Sequence, residues 1–330
     1  MRPMQAGAKT RTLPGTEEFV GHLALGTMTF GDQVEEAQAV EMVDRCRAVG
    51  VTLFDTSVNY QGGASEEILG RIVRSFRDDV QLATKIGGLG PEAPEHLRGL
   101  KPSAIREGID ISLRRLGTSY VDLYFFHRPD RTTRIEASLE AADGLVRAGK
   151  VRALGLSNFA AWEIVHATAI CEREGWAVPE VMQQQYNLVS RRLETEYAEA
   201  ADRFAWATIV YNPLAGGLLT GKHRFGRPPG SGQRFARDNY RRRYWHEEMF
   251  QAIDDLRDIA ADAGLTLVEL ALRWLSDRPV TSGILLGASS LGQLEENLAA
   301  LDGPPLDAST RVRCDEVWER LRGRAPDYNR

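Results

Sequence analysis

Several residues with exchangeable protons or fixed charge stand at the ends of short apolar runs. VTLFDTSVNY delivers Asp55 and Tyr60, VQLATKI delivers Lys85, VDLYFFH delivers His127, and VRALGLSN delivers Ser157 and Asn158. Taken singly, each has an ordinary explanation: Asp55 as a loop cap, Tyr60 as a loop aromatic, Lys85 as a surface charge, His127 as a satisfied core histidine. The combination points elsewhere. A lysine and an aspartate ending neighbouring hydrophobic strands need each other, because a buried charge without compensation is costly. A tyrosine beside that lysine is expected to have its pKa lowered from about 10, since a nearby cation favours the phenolate. Such a phenol serves as a general acid and base nearer neutral pH. Histidine adds a hydrogen bond that orients a carbonyl oxygen, so the set is suited to delivering a proton during carbonyl reduction.

Apolar runs of this length, alternating with helical patterns, read as parallel strands buried on both faces. HLALGTMTF (ending near Gly26), VTLFDT, VQLATKI, VDLYFFH, VRALGLS, VMQQQY, ATIVYNP and SGILLGA make eight candidate strands. Helical spacing predicts helices over 35–49, from about 65, and over 103–116, 135–148, 160–174 and 193–204, with a further one over 311–321. Ser65 ahead of Glu66 and Glu67 reads as a helix cap followed by first-turn acids. Pro14-Gly15 signals a small hairpin before the first barrel strand. Residues 1–10 look like a disordered or tag-like tail, and 11–330 like one domain. Eight βα units with no linker-like break predict a (β/α)8 TIM barrel, with a long basic loop after strand seven (roughly 214–245) and a C-terminal tail. In such a barrel the polar strand tips converge on one rim.

Composition narrows the class of function. A hydrophobic share of 43% and a charged share of 26% are ordinary for a soluble globular chain. The formal net charge of -5 speaks against a general nucleic-acid binder. Cys46, Cys171 and Cys314 lack metal-binding or paired spacing and read as reduced thiols of a cytoplasmic protein. The six histidines show no ligand spacing, so no metal is expected. No apolar stretch approaches the ~20 residues of a membrane span, and the N-terminus lacks the apolar core of a secretory signal.

The segments FDTSVNYQGGASEEILG, LATKI, DLYFFHRPD, GKVRALGLSNFAAWEI and YNPLAGGLLTGK resemble successive motifs of the aldo-keto reductase superfamily, from about Leu23 onward. The resemblance implies a catalytic tetrad of Asp55, Tyr60, Lys85 and His127 on a TIM barrel that binds a nicotinamide cofactor without a Rossmann domain. It implies hydride transfer to a carbonyl carbon while Tyr60 delivers the proton, Lys85 tunes Tyr60, Asp55 holds Lys85, and His127 orients the oxygen. Ser157, Asn158 and Gln183 resemble the groups that hold the nicotinamide carboxamide, and Tyr211 the aromatic on which that ring stacks. In NPLAGGLLTGK, the stretch containing Asn212, Leu214 and Gly216 lets backbone approach a pyrophosphate, with Lys222 as a phosphate partner. The run from Gly287 through Ser289, Gln293, Glu296 and Asn297 lies at a strand-to-helix junction suited to an anion, where the family holds adenosine. Many relatives carry arginine in place of Gln293, whereas Arg234 resembles an arginine near the 2′-phosphate in one branch. NADPH is therefore expected over NADH.

KHRFGRPPGSGQRFARDNYRRRYWH is strongly basic within a net acidic chain. By itself it reads as a solvated loop; after strand seven it reads as an anion-binding lid. YNPLAGGLLTGK, YRRRYW, SSLGQLEENLAA and PDYNR resemble the aflatoxin-aldehyde and succinic-semialdehyde reductase branch. There, arginines at the positions of Arg243 and Arg330 bind a substrate carboxylate; that branch also forms dimers, which implies a homodimer here. The partner expected is a small carbonyl compound, with neither nucleic acid nor membrane. Two other readings compete: a ketoreductase of sugars or nucleotide-linked deoxysugars, and a non-catalytic redox-sensing subunit that retains nicotinamide cofactor.

Overall fold

The computed structural model describes residues 11–12, 19–20, 22–88, 93–227, 229–230, 234–236 and 238–323. The expected tail over 1–10 lies outside them. A short antiparallel pair, β1 (Arg11–Thr12) and β2 (Phe19–Val20), bears out the expected hairpin, although its Pro14-Gly15 turn lies outside the described residues. Eight parallel strands then close into a barrel: β3 (Leu23–Gly26), β4 (Leu53–Asp55), β5 (Gln81–Ile86), β6 (Val121–Phe126), β7 (Val151–Ser157), β8 (Val181–Gln185), β9 (Ala207–Tyr211) and β10 (Gly283–Gly287).

The surrounding helices in chain order are α1 (Glu36–Ala48), α2 (Ala64–Val73), α3 (Pro102–Leu116), α4 (Ile135–Arg147), α5 (Ala161–Glu174), α6 (Tyr197–Arg203), α7 (Asp238–Tyr244), α8 (Glu247–Asp262), α9 (Leu267–Ser276), α10 (Leu291–Leu301) and α11 (Ala308–Arg322). The expected helix over 193–204 is in fact a 3-10 turn at Arg192–Thr195 followed by α6. The expected basic loop contains α7 instead of being irregular throughout. Among the described residues no helix is long and apolar enough to cross a membrane.

Side chains alternate across a strand, and that alternation explains why the strands look doubly apolar. Outward-facing residues join the helices in one large cluster. Inward-facing Ala24, Leu53, Ala83, Leu123, Phe125, Ala153, Val181, Ala207 and Ile209 form a separate one inside the barrel. Small residues make room for large ones: a Cβ at Gly155 would lie 2.3 Å from the Phe125 ring. Continuing each inward series by two residues gives Leu53 to Asp55, Ala83 to Lys85, Phe125 to His127, Gly155 to Ser157, Val181 to Gln183 and Ile209 to Tyr211. One periodicity thus fills the barrel floor with hydrocarbon and its mouth with polar groups.

Candidate active site

Lys85 and Asp55 are almost completely buried, at 0% and 2% exposure, and form a direct ion pair between Nζ and Oδ1. Lys85 Nζ also donates to the Thr56 carbonyl at 2.7 Å and lies 3.5 Å from the Tyr60 hydroxyl. Gln183 Nε2 donates to the other Asp55 oxygen at 2.9 Å. Burial alone would lower the Lys85 pKa, but Asp55 and then Tyr60 act against it, and the net direction is upward. The ammonium is therefore kept charged inside the barrel. His127 meets Tyr60 edge to face, with ring centroids 6.0 Å apart.

The expected lowering of the Tyr60 pKa does not appear. Burial pushes the phenol above its ordinary value; the Lys85 ammonium pulls it down, but Asp55 answers part of that charge. Tyr60 therefore stands at the barrel mouth as a protonated phenol. For His127, burial followed by the Lys85 and Arg128 charges lowers the pKa to about 3, so the ring is neutral. Among the described residues its Nδ1 is buried without a hydrogen-bond partner, an unmet polar atom at the mouth.

A titration follows from this. The unfolded chain protonates His127 near its ordinary 6.5, whereas the folded chain does so only near 3. Between these values the unfolded state binds more protons, so this site's contribution to stability is intact above the upper value and is lost as pH falls toward the lower. NMR of the His127 Cε1–H should show a midpoint near 3 and no change across neutral pH; a midpoint near 6.5 would contradict the assignment.

The Tyr60 turn, Tyr60–Gly63, is held from outside the barrel. Arg115 of α3 donates to the Val58 carbonyl at 2.8 Å and the Gly62 carbonyl at 3.2 Å. It also pairs with fully buried Glu66 at 3.1 Å, whose other oxygen accepts from Thr84 Oγ1 at 2.7 Å. Gly63, at φ 109°, lets the Arg115 guanidinium pass where a side chain would stand, 2.2 Å from its Cβ position. Nothing local in the sequence marks this clamp. Glu66 looked like a first-turn acid, and nothing adjacent to Arg115 marks its distant partners. The cap assigned to Ser65 is also corrected. The helix begins at Ala64, after left-handed Gly63. Ser65 is buried in its first turn and donates to the Thr27 carbonyl at 2.8 Å.

Around the rest of the mouth, buried Ser157 pairs in register with Gln183. Asn158, at φ 64°, donates to the His127 carbonyl at 2.8 Å and accepts from the Tyr211 hydroxyl at 2.6 Å. After β9 the chain turns through Leu214, and Gly216 and Gly217 have φ 71° and 100°. Asn212 Oδ1 accepts from the Gly216 amide at 2.6 Å, and Lys222 Nζ lies 3.8 Å from the Gly217 Cβ position. An Arg234 guanidinium nitrogen lies 3.5 Å from the equivalent position at Gly287. At the start of α10, Gln293 Oε1 accepts from the Ser289 amide at 3.1 Å and hydroxyl at 3.0 Å, so that part of its side chain closes the loop. Glu296 is exposed and Asn297 buried on the same helix. Arg243 of α7 reaches the end of β8, where it donates to Gln185 Oε1 at 2.6 Å. Arg330 lies outside the described residues.

The basic segment after β9 has its own anchor. Phe235 is fully buried, with the rings of His223 and Trp245 at 5.0 and 5.1 Å and those of Tyr240 and Tyr244 at 6.2 and 6.4 Å. Tyr240 lies against Gly216, 2.9 Å from its Cβ position. A basic segment seated by aromatics against a glycine turn has the charge and close backbone approach that a phosphorylated dinucleotide needs.

Proton-holding groups on one side of a barrel mouth and an anion-shaped turn on the other are what a dinucleotide-dependent oxidoreductase requires. The aldo/keto reductase family model matches residues 22–319. The chain belongs to that family and is an NAD(P)H-dependent oxidoreductase of small carbonyl compounds. It is 35% identical over 344 residues to aflatoxin B1 aldehyde reductase member 2 of Rattus norvegicus, covering 98% of this chain and 89% of that protein. The protein of the same name from Homo sapiens is 34% identical over 93% of this chain and 89% of its own length. A probable voltage-gated potassium channel subunit beta of Oryza sativa subsp. japonica is 35% identical over 87% of this chain and 89% of its own length.

Proposed function

We propose that the protein is an NADPH-dependent reductase of small aldehydes, including carboxylate-bearing ones, with Tyr60 as the proton donor. The observation that carries this reading is the buried Lys85–Asp55 pair beneath a protonated Tyr60 and beside a neutral His127. NADPH when bound supplies the hydride. Tyr60 holds the proton that the carbonyl oxygen receives, and the Lys85 ammonium stabilises the phenolate left behind. His127, being neutral, directs the carbonyl by a hydrogen bond without adding charge. Ser157, Asn158, Gln183 and Tyr211 would hold the nicotinamide end. Asn212, Leu214, Gly216 and Lys222 would hold the pyrophosphate. Arg234, with Gly287, Ser289, Gln293, Glu296 and Asn297, would hold the adenosine end.

Arg234 beside Gly287 supports the choice of NADPH over NADH, because a guanidinium pairs well with a 2′-phosphate. A panel of small aldehydes assayed with both cofactors tests this. NADPH is expected to be the better substrate, and Arg234→Ala to raise its KM roughly tenfold while changing that for NADH little. Equal changes for both cofactors would remove Arg234 from the 2′-phosphate. Tight cofactor retention without turnover on the whole panel would instead favour the redox-sensing reading.

A further inference from the structure

The exposed guanidinium of Arg243 does not hang free at the mouth of the barrel. Its hydrogen-bond partner among the described residues is the Gln185 side-chain oxygen, at 2.6 Å. That oxygen faces Arg243 because the other end of the amide is already committed. Gln185 Nε2 donates to Ser190 Oγ at 2.9 Å and to the Tyr244 hydroxyl at 2.8 Å. Tyr244 is in turn buried at 1% exposure, and its hydroxyl also accepts from Asn212 Nδ2 at 2.7 Å and Asn187 Nδ2 at 3.3 Å. One phenol oxygen therefore ties α7 to the ends of β8 and β9.

Along β8, Gln185 shares the inward face with Gln183, roughly 7 Å further out. Gln183 holds Asp55, so Gln185 holds Arg243 one layer above the ion pair. A long arginine side chain has many rotamers to lose, and a fixed acceptor removes much of that freedom before any ligand arrives. Among the described residues a single guanidinium nitrogen is used in a hydrogen bond, which leaves the rest of the fork for an incoming anion.

We propose that Gln185 is a positioning residue. It aims Arg243 at the carboxylate of an aldehyde substrate and so sets the preference for carboxylate-bearing over uncharged aldehydes. This rests on the aldehyde-reductase reading above, and on Arg243 as the carboxylate contact.

The test compares kcat/KM for succinic semialdehyde with that for pentanal, an uncharged aldehyde of similar length. In Gln185→Glu an internal carboxylate takes the guanidinium, and the ratio is expected to fall roughly tenfold. In Gln185→Leu the guanidinium is released, and the KM for succinic semialdehyde should rise about three- to tenfold with kcat held. In an Arg243→Ala background Gln185→Leu should not move the ratio further, since both effects act through one contact. Binding without turnover gives an independent readout. Succinate should raise the melting temperature of the unsubstituted protein with concentration, and that rise should vanish in Gln185→Glu. If Arg243→Ala lowers the ratio while both Gln185 variants keep it, Gln185 has no aiming role and only this inference is overturned. If Arg243→Ala leaves the ratio unchanged, the carboxylate reading fails and takes the assignment of Gln185 with it.

Discussion

Tyr60→Phe will bind cofactor normally and lose about 10²- to 10⁴-fold in turnover of small aldehydes, the range that a positioned general acid contributes. The substitution removes one oxygen and leaves the ring, so the edge contact with His127 survives. Cofactor titration by fluorescence separates lost chemistry from lost binding; turnover within about threefold of the unsubstituted protein would remove Tyr60 from its role. The pH profile carries the same argument further. Burial keeps the phenol above its ordinary value, so reduction should be flat through neutral pH and decline only in alkali, as the phenol ionises. The reverse reaction, alcohol oxidation, needs the phenolate and should rise over the same alkaline range.

Asp55→Asn is expected to destabilise the fold by about 3–5 kcal/mol, the usual cost of leaving a buried charge without its partner. The Lys85 ammonium is wholly buried, and Asp55 is the largest influence holding it charged. With that carboxylate neutralised, burial dominates and the Lys85 pKa falls below 10.5. The sign follows. In the unsubstituted protein the raised pKa gives stability that is present below the unfolded value near 10.4 and is lost as pH rises through the folded one. In Asp55→Asn the pKa is depressed instead, so the deficit is greatest at low pH and shrinks as pH rises and the unfolded lysine also loses its proton. Urea unfolding at several pH values measures both effects. A loss below about 1 kcal/mol, the level of an exposed pair, would show that solvent reaches Lys85.

The strand tips were legible because two simple regularities coincide at them. Period-two alternation marks the inward face, and an ionisable residue that ends an apolar run is costly enough to need a reason. Asp55, Lys85 and His127 satisfy both. The Tyr60 pKa was misjudged because sequence shows that Lys85 is near but not how deep the phenol lies or how Asp55 answers the ammonium. Arg115, Glu66, Gln185 and Tyr244 were invisible for another reason. Their partners lie 49 to 59 residues away for the Arg115–Glu66 and Gln185–Tyr244 contacts, and side-chain hydrogen bonds of that reach leave no periodic trace. Ser65 failed because a serine before two acids usually caps, whereas here Gly63 had already turned the chain.

On the proposed assignment, the proton chemistry comes from the ends of β4, β5 and β6, and the groups for nucleotide and anion come from β7 onward. At the mouth, Gln183 to Asp55 and Asn158 to the His127 carbonyl tie one half to the other, above the β6–β7 and β10–β3 pairings that close the barrel. The barrel is in this sense modular. Under the proposed roles, substitutions in the second half would retune which cofactor and which acid are admitted and leave the reaction itself to the first half.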